Sequence, residues 1–141
     1  MLKVLQLTKL TRGLFMKFDI CAPILGFEGI KQVALEKIDD NFMRMIAAED
    51  ANISFTLINP FALREYDFEI PDATQELLGV DEKSNILVLN ILLIQNPVEE
   101  SLVNFIGPMV FNTDNQKAAQ IILSESTKYG VAEKISDYLK K

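Results

Sequence analysis

The sequence of 141 residues predicts a mainly β fold, a barrel or a sandwich, with two short helices. Three observations carry this. Apolar and polar residues alternate with period two in Asn52–Leu57 and Tyr66–Ile70, as in strands with one buried face. Turn formers such as Asp39-Asp40-Asn41 and Thr113-Asp114-Asn115 separate short apolar runs. Only two segments read as helical, whereas an α/β fold needs a helix between most strands. With 49% hydrophobic and 24% charged residues, the composition is that of a globular chain. One domain of this length buries roughly 70% of its unfolded surface.

The elements follow in order. Residues 1–15 carry Lys3, Lys9 and Arg12 and no acidic side chain, and a second methionine follows at Met16. This change of composition sets 1–15 apart as an N-terminal extension and 16–141 as the domain, with Met16 the expected natural start. Gln32–Ile38 and Phe42–Ala47 form a hairpin around Asp39-Asp40-Asn41. Asn52–Leu57 is the next strand, ended by Pro60, which has no N–H for a ladder. Tyr66–Ile70 follows, with Tyr66, Phe68 and Ile70 on one face and Asp67 and Glu69 on the other. Ala73–Leu78 is a helix: Pro71 precedes it, Asp72 is its expected cap, Gln75 holds the capping-box position and Gly79 ends it. Ile86–Ile94 is almost wholly aliphatic and reads as a central strand buried on both faces. Leu102–Ile106, Met109–Phe111 and Ala118–Leu123 are shorter strands. Val131, Ile135 and Leu139 form an apolar stripe on a C-terminal helix, Val131–Lys140.

Composition removes several functions. Histidine is absent and Cys21 is the one cysteine, which excludes histidine-based acid–base chemistry, His/Cys zinc sites and an internal disulfide. Such a chain suits a reducing cytosol. The net charge of −6 disfavours direct contact with nucleic acid and favours a basic protein partner. The longest apolar run, Ile86–Ile94, falls far short of the ~20 residues of a membrane helix, and no signal peptide is recognisable. Gly26, Gly29 and Gly79 are isolated, so no phosphate-binding loop is present. The carboxylate pairs Asp39-Asp40, Glu49-Asp50, Asp81-Glu82 and Glu99-Glu100 lie at turns among polar residues, the setting of solvated charge rather than of a hydrolytic pair. No cofactor or metal is expected.

Three features stand out as binding candidates. Asn59 can hold the turn before Pro60, from which Phe61 projects or folds inward. The acidic face Asp67/Glu69, continued by Asp72 and Glu76, is either a charged sheet edge or a docking surface for a basic partner. Glu99 and Glu100 lie at the entry to the strand Leu102–Ile106, and Asn104 is a polar residue within it. These residues describe an acidic, mostly β domain whose default function is binding.

Beyond that, the sequence resembles the FliW family of bacterial flagellar assembly factors. Pro23-Ile24-Leu25-Gly26-Phe27-Glu28 is similar to the family's G-x-x-G-F-E entry, with the earlier glycine replaced. Phe55–Phe61 resembles F-x-x-x-N-P-[FY], and Arg64–Pro71 resembles D-Y-E-F-x-[LIV]-P. Leu77–Val80 matches the close of the short helix, Val88–Ile91 the V-x-N-I strand, and Ser101–Asn112 resembles T-x-N-L-x-A-P-[IV]-V-x-N, with Gly107 in place of alanine. Six motifs keep their order between about Pro23 and Leu123. The family's Y-x-x-R-H-P tail has no counterpart here, so no role of that tail carries over.

The resemblance implies a compact antiparallel β-barrel-like single domain, with no catalysis and a cytoplasmic location. It implies binding to the translational repressor CsrA, which relieves repression of flagellin mRNA, and binding to flagellin, which couples flagellin level to its translation. A flagellin-specific export chaperone without CsrA regulation is the alternative; a carboxylate-only hydrolase is a third, disfavoured reading. The expected binding region is Asn59, Pro60, Phe61, Tyr66, Asp67 and Glu69, with Glu99, Glu100 and Asn104 beside it. Asn59 and Pro60 would shape the loop, Phe61 and Tyr66 would give apolar contact, and the carboxylates would meet basic residues. A monomer is the simple expectation for the free protein.

Overall fold

The structure, a computed structural model, describes residues 3–4, 15–123 and 129–138. Its strands are β1 (Lys3–Val4), β2 (Phe15–Ala22), β3 (Gln32–Lys37), β4 (Phe42–Ala47) and β5 (Ser54–Ile58), then β6 (Asn85–Leu93), β7 (Leu102–Val103), β8 (Met109–Asn112), β9 (Lys117–Gln120) and β10 (Glu133–Lys134). One α-helix, α1 (Asp72–Leu78), interrupts them.

Seven strands close into a barrel in the order β6-β5-β4-β3-β2-β9-β8, with β8 returning to β6 through Ile86↔Asn112 to Leu89↔Met109. Closure removes the open edges that a flat sheet would present. Most pairings are antiparallel, as expected, but β2 runs parallel to β9 and β1 parallel to β6. The β2–β9 pairing shifts register between Ile20 and Ala22, a bulge at Cys21. The nine-residue β6 is long enough to serve several neighbours: β8 and β7 share one edge, β1 and β5 the other.

Alternation along the strands sorts the apolar residues into two cores. Phe18, Val33, Leu35, Met43, Met45, Leu57, Leu87, Leu89, Met109 and Phe111 come from all parts of the barrel wall and fill its interior. The opposite faces of β6, β8 and β9 supply Ile86, Val88, Val110 and Ala119 to a second core outside the barrel. That core is roofed by Tyr66, Ile70 and Leu78 from the β5–β6 connection and by Phe105, Tyr129 and Ile135. The aliphatic run in β6 is thus apolar on both faces because each face packs on a separate core.

The hairpin, the central strand and the helix stand as the sequence predicts. Lys37 pairs with Met43 across the Asp39–Asn41 turn, where Asp39 Oδ1 accepts from the N–H groups of Asn41 and Phe42 at 2.9 Å. Gly79 ends α1 at φ 65°, its N–H bonded to Gln75 and Glu76 carbonyls. Asp72 is the first helical residue and not the cap; Pro71 occupies that position without a side-chain bond. Gln75 reaches back to the Ile70 carbonyl at 2.8 Å.

One strand is added and two expectations are corrected. Phe15–Ala22, unassigned above, is a strand, and its Met16, Phe18 and Ile20 face the barrel interior. Tyr66–Ile70 keeps its alternating burial but joins no ladder, because β5 already pairs directly with β6 and leaves this segment outside the barrel wall. The C-terminal helix is replaced over the described residues: Glu133 and Lys134 pair with Val103 and Leu102, and Ile135–Asp137 is a 3-10 turn. A short isolated helix is marginal. Here strand pairing and burial of Ile135 in the second core win over the four-residue stripe, and Val131 stays 66% exposed. Leu139–Lys141 and most of residues 1–15 lie outside the described residues.

Candidate protein-docking site

A groove of about 500 Å³ opens between the segment Phe61–Gln75 and the outer face of β6. Its floor is apolar, made by Phe68, Ile70, Ile86 and Val88. Asp67, Glu69 and Asp72 stand along it, and among the described residues no Lys or Arg lines it. None of these three carboxylates forms an ion pair among the described residues.

The loop before the groove is built as its sequence suggests. Asn59 Oδ1 accepts from Phe61 N–H at 3.1 Å, and Pro60 opens a 3-10 turn over Pro60–Ala62. Pro60 is buried, and Phe61 projects with 42% of its surface exposed. Tyr66 sits beneath. Its hydroxyl donates to the Phe105 carbonyl at 2.6 Å and accepts from Asn90 Nδ2 at 3.0 Å. Its ring centroid is 4.8 Å from Tyr129, 5.4 Å from both Phe68 and Phe105 and 6.2 Å from Phe61. Burial pushes the Tyr66 hydroxyl above the usual tyrosine range, against the lowering effect of the Asn90 bond.

Behind this cluster the C-terminal segment is clamped. Arg64 lies 3.2 Å from Glu133 Oε1 and donates to Tyr138 Oη at 2.9 Å. Its guanidinium stacks 4.8 Å from the Tyr129 ring centroid and 5.3 Å from those of Phe105 and Tyr138. Tyr138 also donates to Glu133, whose other oxygen accepts from Gly130 N–H. Burial first, then the Glu133 bond and charge, raise the Tyr138 pKa. Tyr129 Oη accepts from the N–H of Asp67 at 2.9 Å and donates to its carbonyl at 3.2 Å, tying this segment to the groove wall.

The structure brings Phe61, Tyr66, Asp67 and Glu69 together on one groove, with Asn59 and Pro60 shaping its entrance. Glu99, Glu100 and Asn104 do not line it. Glu99 is exposed on the 3-10 turn Val98–Glu100. Glu100 holds Lys134 at 3.0 Å and raises its pKa. Asn104 accepts from Ile106 and Gly107 N–H groups at 3.0 Å and so shapes a turn. Asn112 bonds the Leu78 carbonyl at 2.9 Å and fastens the end of α1. Asn59, Asn104 and Asn112 therefore act on backbone groups, while Asn90 bonds both the Asn104 carbonyl and the Tyr66 hydroxyl. Sequence reasoning left Ile86, Val88 and Gln75 out of the groove, since nothing local says which face of a doubly apolar strand stays accessible. It also passed over Arg64, whose partners lie 69 and 74 residues away.

Fold and site together define a closed β barrel with an acidic, apolar-floored groove on its outer wall. The FliW protein family model matches residues 10–135. The flagellar assembly factor FliW of Sulfurimonas denitrificans is 78% identical over 126 residues, covering 89% of this chain and 100% of that protein. Flagellar assembly factor FliW 2 of Wolinella succinogenes is 50% identical, over 87% of this chain and 92% of its own. A crystal structure of the flagellar assembly factor FliW aligns with a TM-score of 0.78 over 84% of each chain at 24% identity, a likeness of fold. The chain belongs to the FliW family of flagellar assembly factors.

Proposed function

We propose that this protein works in the cytoplasm by protein docking and not by catalysis. It binds CsrA and relieves repression of flagellin mRNA, and it binds flagellin, so that flagellin level sets flagellin translation. The observation that carries the reading is the groove: an apolar floor and three carboxylates that, among the described residues, have no ion-pair partner and no lining cation. Apolar contact there supplies affinity, and the carboxylates steer a basic partner. An acidic protein docked on an RNA-binding partner also repels RNA from its surface. Family membership supports the flagellar setting.

Calorimetric titration with CsrA and then flagellin from the same organism tests this. Binding to both, with flagellin displacing CsrA, is expected. Binding to flagellin alone would make the protein a flagellin-specific export chaperone, and binding to neither would overturn the reading.

A further inference from the structure

The segment Tyr66–Ile70 has the form of a strand without the partner of one. Tyr66 and Ile70 are buried and Phe68 half-buried, while Asp67 and Glu69 are exposed. Its backbone is held at two points, at Asp67 by the Tyr129 hydroxyl and at Ile70 by Gln75 Nε2. Between them, no hydrogen bond among the described residues involves the backbone of Phe68 or Glu69. Backbone donors and acceptors of extended segments are ordinarily paired across a ladder. This one is held at both ends, is unpaired at Phe68 and Glu69 among the described residues, and lies along the wall of an open groove.

We propose that the docked partner adds an extended segment along Phe68–Glu69, by strand addition, which deepens the docking reading above and rests on it. Main-chain hydrogen bonds then supply affinity and alternate side chains supply selectivity. Residues facing the Tyr66, Phe68 and Ile70 side enter the groove and are apolar. Residues beside Asp67 and Glu69 are Lys or Arg, since cross-strand neighbours of opposite charge attract and like charges repel. The occupant is thus a stretch of the partner in which apolar residues alternate with basic ones. An amphipathic helix could match the same charges and floor, but it would leave the Phe68 and Glu69 backbone unbonded.

Amide hydrogen exchange on the full-length ¹⁵N-labelled chain separates these cases, alone and with saturating CsrA or flagellin. Successive residues of an extended segment turn their N–H groups to opposite edges, so exchange at one of the two amides, Phe68 or Glu69 according to the edge the added strand takes, is expected to slow by about tenfold or more in a complex, the effect of one added backbone hydrogen bond. A partner that binds while these two amides exchange as fast as in the free chain overturns strand addition and leaves the docking reading intact. If neither partner binds, the blocked peptide (Lys-Val)₃ decides, compared by fluorescence anisotropy with its fully N-methylated form. Binding lost by about tenfold or more on N-methylation keeps the strand site and discards those partners. Equal binding by both peptides overturns strand addition and leaves docking on the groove, and no binding by either overturns strand addition together with the docking reading.

Discussion

Replacing Arg64 with methionine removes the guanidinium and keeps an unbranched apolar stem, so it tests what holds the C-terminal segment to the barrel. The guanidinium lies 3.2 Å from Glu133 Oε1, and the two side chains are each only 19% exposed. It also donates to Tyr138 Oη and stacks on three aromatic rings. Breaking a fully buried pair from one side costs about 3–5 kcal/mol, because the remaining charge is left without compensation. The residual exposure lets water reach Glu133, which places the expected loss at the lower end, about 3 kcal/mol. For a chain of this size that corresponds to a Tm lower by about 6–12 °C. Calorimetric melts measure the loss, and amide exchange locates it: residues 129–138 should lose protection before the barrel strands do. The double variant Arg64→Met/Glu133→Leu removes both charges and should be more stable than Arg64→Met alone, since apolar replacement of a whole buried pair is often near neutral. A Tm loss under about 2 °C for Arg64→Met, or a double variant whose loss equals the sum of the two singles, would refute the clamp.

The remaining predictions concern the neighbouring residues. Tyr66→Phe leaves the buried Phe105 carbonyl without its 2.6 Å donor and should cost about 1–3 kcal/mol, read by denaturant titration. The native Tyr66 pKa is raised above its unfolded value, so its contribution is complete below about pH 10 and is lost as pH rises toward the folded value. The wild-type chain should therefore lose stability more steeply above that pH than Tyr66→Phe, and parallel alkaline limbs would contradict the burial argument. Gly79→Ala puts a Cβ at φ 65°, 2.9 Å from Asn115 Nδ2, and should destabilise by about 1–2 kcal/mol; an unchanged denaturation midpoint would be the adverse result. Asp67→Lys with Glu69→Lys should slow association with CsrA by about tenfold at low salt and leave Tm nearly unchanged, measured by stopped flow; equal rates would remove these residues from the docking surface.

What could be read from the residues themselves was whatever depends on near neighbours in the chain. The Asp39–Asn41 turn, the asparagine-held loop at Asn59, the glycine stop at Gly79 and the alternation of Tyr66–Ile70 are all settled within a few bonds, and the structure keeps each of them. Four residues chosen from sequence, Phe61, Tyr66, Asp67 and Glu69, share one groove because the loop and the alternation already set their sides. The tertiary structure decided where competing partners exist at long range. Alternation in Tyr66–Ile70 promised a strand, but β5 and β6 pair with one another and leave it unladdered on the outer wall. The C-terminal stripe promised a helix, but the edge of β7 and the cage around Arg64 offered Glu133–Tyr138 stronger bonds than a short helix makes with itself. Local propensity determines what a segment can be; where two segments of the chain could satisfy the same backbone and side-chain groups, only the closed barrel settles which of them does.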